Sequence, residues 1–115
     1  MKLRDILSHK GRDVHSATPA DSLGKVVRRL VEHNCGAVVV LDGDRLAGII
    51  SERDVLRACA ELTRPMDALV SEHMSSDLVT AGPDDDVEHV MGLMTQHRIR
   101  HLPVMESGSL AGVIS

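Results

Sequence analysis

Residues 14–51 recur as residues 78–115 without a gap, with Pro83 answering Pro19 and 11 of the 38 aligned positions identical. Val14-His15-Ser16-Ala17-Thr18-Pro19 is matched by Leu78-Val79-Thr80-Ala81-Gly82-Pro83, and Leu46-Ala47-Gly48-Ile49-Ile50-Ser51 by Leu110-Ala111-Gly112-Val113-Ile114-Ser115. A repeat of this kind fixes the unit of architecture. Units so short bury little surface alone. The two are therefore expected to pack on each other about an approximate two-fold axis, and the seam between them is the natural place for a ligand.

Both copies carry the same run of signals. In the first, Leu3, Ile6 and Leu7 at helical spacing predict a short opening helix, and residues 14–17 an extended piece stopped by Thr18-Pro19. Asp21 or Ser22 can cap the next helix, which runs to about His33 with Leu23, Val26, Val27, Leu30 and Val31 facing inward. Residues 34–36 end it. Residues 37–41 are a β-branched run, Asp42-Gly43-Asp44 is a turn, and 46–51 is the returning strand of a hairpin. Ser51 can cap a further helix, 52 to about 60. Residues 61–67, which include Pro65, are too short and too structured for a flexible linker. In the second copy, 69–74 resembles the opening helix and 78–80 predicts a short strand. Val87, Val90, Met91 and Met94 mark the inward face of a helix, and 101–105 and 110–115 form a hairpin turning at Ser107-Gly108. The expected fold class is α/β (α+β), with repeats at 1–60 and 69–115 and a connector at 61–68. The first repeat reads strand, helix, strand, strand, helix; the second lacks the final helix. The chain reads as a trimmed version of a longer one.

Apolar residues make up 43% of the chain, enough for a core. There is no Phe, Tyr or Trp, so that core has to be Val, Leu, Ile, Met and Ala, with the six Met as gap-fillers. Base stacking on single-stranded nucleic acid has no aromatic side chain to use. A net charge of −4 with no basic run argues against nucleic-acid and anionic-membrane partners. No apolar stretch is long enough to span a bilayer, and the N-terminus has no signal-peptide pattern. Cys35 and Cys59 give no disulfide framework, so a reduced, cytoplasmic setting is expected.

Gly48-Ile49-Ile50-Ser51 followed by Asp54, the copy Gly112-Val113-Ile114-Ser115, and Arg98-Ile99-Arg100-His101-Leu102-Pro103-Val104 together resemble a tandem pair of CBS domains, the regulatory unit also called a Bateman module. The resemblance covers nearly the whole chain and implies β-α-β-β-α per repeat. It implies clefts between the repeats that take adenosyl ligands such as AMP, ADP, ATP or S-adenosylmethionine, with no required cofactor and no catalysis. It also implies a homodimer and control of a partner protein that the sequence does not identify. By the same resemblance Asp54 stands at the ribose-binding position, its carboxylate accepting from the 2′- and 3′-hydroxyls. Ser51 donates to phosphate beside helix N–H groups aimed the same way. Ser16 and Ala17 stand in the base-contacting stretch, Ala37 and Val38 in the apolar wall. Arg100 and His101 match positions that reach phosphate, where the first copy has Gly36 and Ala37. Thr80, Ala81, Leu102, Pro103 and Ser115 match the equivalent roles in the second copy, whose aspartate would fall beyond Ser115.

Plainer readings stand beside these. Asp54 can be a first-turn carboxylate favoured by the helix dipole and Ser51 an N-cap. Arg100 can be a surface cation, and His101 a strand residue with a satisfied ring. Asp84-Asp85-Asp86 looks like a cation-binding run, but it precedes a helix, where capping and dipole account for it. His9, His15, His33, His73, His89, His97 and His101 form no metal-ligand spacing, and His33 and His97 share a repeat position near a helix end. Cys35 is expected to pack as a small apolar residue beside the strand. There is no G-x-S-x-G, no Walker loop and no G-x-G-x-x-G, which leaves an enzyme little support. The alternatives are a structural dimerisation module with vacant clefts, a regulatory fragment of a larger enzyme or channel, and a metal-dependent hydrolase using scattered His.

Overall fold

In chain order the elements are α1 (Leu3–Lys10), β1 (Ser16–Ala17), α2 (Leu23–His33), β2 (Ala37–Asp42), β3 (Arg45–Ser51), α3 (Glu52–Glu61), a 3-10 turn at Pro65–Asp67, α4 (Val70–His73), α5 (Val87–His97), β4 (Leu102–Glu106) and β5 (Ser109–Ile114). The structure is a computed structural model and describes residues 1–10 and 14–115; the side chains of His9 and Lys10 lie outside the description. Two compact units result, His15–Asp77 on one side and Met1–Val14 with Leu78–Ser115 on the other.

In the His15–Asp77 unit the β-branched run of β2 lies centrally, parallel to β1 and antiparallel to β3. The turn from β2 to β3 uses Gly43 at φ 63°, the left-handed conformation a tight hairpin needs. Ser22 caps α2, its side chain accepting from the Lys25 N–H, and Asn34 closes the helix at φ 48°. Leu23, Val26 and Leu30 of α2 meet Val38, Val40 and Ile50 of the sheet, with Val55 and Ala58 of α3 and Val70 of α4 in the same core. Each large side chain buried this way contributes about 1.5–3 kcal/mol. Cys35 packs against the edge of this core. Val31, expected inward, is 75% exposed. It lies about 80° round the helix from Leu23, at the margin of the apolar stripe.

The other unit repeats the plan around β4 and β5, which turn through Ser107 at φ 51° and Gly108 at φ 80°. Both hairpins slip register at the same repeat position, Val40/Leu41 and Val104/Met105. Leu102, Val104, Ala111 and Val90 form the core with Leu3 and Leu7 of α1. Met91, expected inward, is 61% exposed, on the repeat position of Val27 but turned to solvent.

The strand expected at residues 78–80 does not form; its place holds one isolated bridge, Ala81 to Val104. The reason is a single residue. In the first copy the Val39 N–H donates to the His15 carbonyl at 3.2 Å and extends the parallel pairing. The second copy has Pro103 in place of Val39, and proline has no N–H to donate.

Each hairpin is covered by the short helix that leads into the other repeat. Arg4 and Leu3 donate their N–H groups to the carbonyls of Pro83 (2.8 Å) and Asp85 (3.0 Å). Ser71 and Val70 do the same to Pro19 (3.0 Å) and Asp21 (2.9 Å). Leu3 therefore answers Val70, an offset of 67 where the rest of the repeat keeps 64.

The three successive aspartates go separate ways. Asp84 pairs with Arg4 at 3.2 Å, Asp85 accepts from the Gly82 N–H at 2.8 Å, and Asp86 lies 3.7 Å from Lys2. Asp86 holds the N-cap position of α5 without a side-chain cap bond, so the basic residues at the start of the chain and the loop backbone account for the run, with capping contributing little. Among the described residues no cluster of three or more His, Cys, Asp or Glu could hold a metal ion. No helix among them is long and apolar enough to cross a membrane.

Candidate functional site

At the end of the first hairpin, register brings several of the singled-out residues together. Ala37 pairs with Ser51 and Val38 with Ile50, while Ser16 and Ala17 lie beside Val39 and Val40. The chain leaves β3 at Ser51 directly into α3, so Asp54 lies one helical turn from the end of the sheet. Ser51 and Asp54 form a reciprocal capping box. The Ser51 N–H donates to Asp54 Oδ2 at 2.8 Å, the Ser51 hydroxyl donates to the same oxygen at 3.1 Å, and the Asp54 N–H donates back to Ser51 Oγ at 3.3 Å. The Glu52 N–H goes to the Gly36 carbonyl at 2.9 Å. Two of the first three amides of α3 are thus taken inside the protein, and so is the serine proton. Asp54 Oδ1 remains, on a half-buried carboxylate in the first turn of α3.

The side chains of Ala17 and Val38 are both 2% exposed and lie in the core, so these residues offer their surroundings backbone and shape. Ser16 and Ala37 are half-buried at the edge. The ring of His15, just before β1, stacks on that of His33 at a centroid distance of 3.6 Å.

The second copy reproduces the geometry with different chemistry. His101 stands where Ala37 does, and its Nδ1 lies 3.1 Å from Ser115 Oγ, the counterpart of Ser51. Leu102 is fully buried, as is Pro103, while Thr80, Arg100 and Ser115 are exposed. Ala81 is held on both sides, its N–H donating to Pro103 (3.1 Å) and its carbonyl accepting from Met105 (2.8 Å).

Beneath the first loop sits Arg29, which the sequence did not single out, and it meets Asp21, expected there only as a helix cap. Arg29 Nη1 donates to the Ser16 carbonyl at 2.8 Å and to Asp21 Oδ2 at 3.0 Å, and the Thr18 N–H donates to that same oxygen at 2.9 Å. The Thr18 N–H, with the Arg29 guanidinium as a second partner, holds the Asp21 carboxyl below the usual carboxylate range against the opposing effect of burial. A signal was present: the second copy has Leu93 where the first has Arg29. An apolar residue there marks a position that leans inward, where a cation needs partners.

A family model described as CBS domain matches residues 3–61 and 70–115. A CBS-domain containing protein of Agrobacterium tumefaciens has the same fold with a TM-score of 0.95 at 38% identity, over 100% of this chain and 93% of that one. A CBS domain pair crystallised in complex with 5′-methylthioadenosine and S-adenosyl-L-methionine gives a TM-score of 0.88 at 25% identity, over 100% of this chain and 89% of that one. A 17.7 kDa protein of Acidianus ambivalens is 33% identical over 104 residues, which make up 89% of this chain and 62% of that protein. The chain therefore spans less than two thirds of that relative.

Proposed function

Because the chain belongs to the CBS-domain family, we propose that it is a regulatory module that binds an adenine-containing ligand, AMP, ADP, ATP or S-adenosylmethionine, and passes its bound state to a partner protein. The observation that supports this most is the half-buried Asp54 carboxylate at the start of α3, with one oxygen used by the capping box and Oδ1 left over, one turn from where Ser51 pairs with Ala37. The ligands of a related pair, 5′-methylthioadenosine and S-adenosyl-L-methionine, carry the ribose such an acceptor suits. Ser16 at the loop edge, with the backbone of Ala17 and Val38, would border the base. In the second copy Arg100 and His101 would meet phosphate, with Thr80, Leu102, Pro103 and Ser115 around them. No cofactor is needed and no reaction is assigned, and the setting we propose is the cytoplasm. Regulation is linkage: a ligand that prefers one conformation favours any partner preferring the same one.

Titration calorimetry with AMP, ADP, ATP and S-adenosylmethionine tests this. At least one is expected to bind, and it must raise the melting temperature of the protein, since it binds the folded state. Silence across the panel at millimolar ligand overturns the reading. It would favour the alternative, a structural dimerisation module, for which the internal use of the Ser51 proton and Asp54 Oδ2 already speaks.

The species in solution is expected to be a homodimer. Val31, Leu56 and Met91 are 75%, 68% and 61% exposed on three helices, more apolar helix surface than a solvated face needs. Light scattering at micromolar concentration decides it, and a monomeric mass that persists on concentration counts against the dimer.

A further inference from the structure

The two repeats contain the same loop between strand and helix, built in one case with an arginine and in the other without. In both, an aspartate closes a turn on the backbone four residues long. Asp21 Oδ2 accepts from the Thr18 N–H at 2.9 Å, and Asp85 Oδ2 from the Gly82 N–H at 2.8 Å. Both aspartate N–H groups donate back, to the Thr18 carbonyl at 3.1 Å and the Gly82 carbonyl at 3.2 Å. The difference is one helical position. Arg29 of α2 reaches under the first loop and ties the Ser16 carbonyl, before the turn, to the Asp21 carboxylate, after it. Leu93 of α5 has no donor to offer.

We propose that Arg29 is a positioning residue that fixes the conformation of the 16–21 loop, and that through it the first repeat presents a preorganised edge to the base of its ligand. The ligand half of this rests on the adenosyl-binding reading above. The physical argument is one of populations. A loop held at a single point samples other conformations, and a ligand that needs one of them binds more weakly by the fraction of time the loop is competent. Arg29 holds two points through one nitrogen, Nη1, at an Asp21 carboxylate that is 12% exposed and so poorly screened by solvent. The same contact takes one of the two lone pairs of the Ser16 carbonyl, so an amino group on the ligand's base would share that acceptor with Arg29 in this repeat.

Arg29→Leu, which copies the residue of the second repeat, is the direct test, with Arg29→Lys beside it. Two quantities are read: the exchange rate of the Thr18 amide, and the affinity for AMP and S-adenosylmethionine by calorimetry. Arg29→Leu is expected to speed Thr18 exchange and weaken the ligand that binds, both by roughly 10-fold, while the amide of Ile50 in the hairpin keeps its protection. Arg29→Lys is expected to recover part of both, since both bonds come from the single nitrogen Nη1, and an ammonium on the shorter lysine stem keeps the charge but reaches less far. Unchanged Thr18 exchange in Arg29→Leu overturns the proposal, whatever happens to binding. Faster exchange with wild-type affinity overturns its ligand half and leaves the site reading intact. If the wild type binds nothing, the site reading falls instead, and Thr18 exchange alone decides whether Arg29 fixes the loop. If Arg29→Leu does not fold, the same two readings are taken on Arg29→Lys.

Discussion

Asp54→Ala is expected to lower the affinity for AMP by about 10- to 100-fold. A hydrogen bond to a charged group is worth about 1.5–3 kcal/mol, and the carboxylate is the only ribose acceptor assigned in this repeat. The loss should be similar for AMP and ATP, which share the ribose. A 2′-deoxy ligand should bind the wild type poorly and lose less on mutation, because one of the bonds is absent from the start; that non-additivity marks a direct contact. The capping box adds a second consequence. Asp54 Oδ2 accepts the Ser51 N–H and the Ser51 hydroxyl. Removing it also unties the start of α3, at about 0.5–2 kcal/mol of stability. Asp54→Asn separates the two effects. Its amide oxygen can still accept the Ser51 N–H, so the melting temperature should stay near that of the wild type, while the charge offered to the ribose is gone. Wild-type affinity for AMP in both variants would show that Asp54 serves the helix and not the ligand.

Much of the fold was legible because the chain states it twice. The two hairpins, the helices α2 and α5, the cap at Ser51 and the turn at Ser107-Gly108 follow from periodicity and turn chemistry that act within a few residues. What escaped is long-range or outside the aligned window. The strand at 78–80 fails because of Pro103, more than twenty residues away; the substitution was visible, but its effect depends on knowing that position 103 must donate to position 79. The reciprocal docking of α1 and α4 was hidden because its offset is 67 and not 64, so the alignment that revealed the repeat could not carry it. Val31 and Met91 satisfied a helical pattern whose stripe is narrower than the rule. At the site, Ser51 and Asp54 were placed by motif, whereas their bonds to each other, which decide what each has left to give, are matters of geometry.

Gly48→Ala is expected to destabilise the protein by about 2–4 kcal/mol, and Gly112→Ala, the same change at the same repeat position, by about 1 kcal/mol. Both glycines lie in the returning strand of their hairpin where a docked segment crosses it. A methyl group at Gly48 would meet the backbone oxygen of Ser75 at 2.6 Å and the Met74 sulfur at 2.8 Å. The Ser75 oxygen cannot retreat cheaply. It accepts from the Ile49 N–H at 2.9 Å, and the Ser75 N–H donates to the Ile49 carbonyl at 2.9 Å, so a shift that relieves the clash stretches both bonds of the bridge. A methyl group at Gly112 would meet Leu7 Cδ2 at 2.6 Å, while the next atoms of that side chain stand at 3.6 Å. There the obstacle is the far end of a leucine, which a change of rotamer can move at a cost of about 0.5–1.5 kcal/mol. For a chain of this length the difference corresponds to roughly 10–15 °C lost in Gly48→Ala against a few degrees in Gly112→Ala. Thermal melts of the two variants beside the wild type decide it. Equal losses would mean that the segment over Gly48 yields as easily as a leucine side chain, and that the Ile49–Ser75 bridge does not hold it in place.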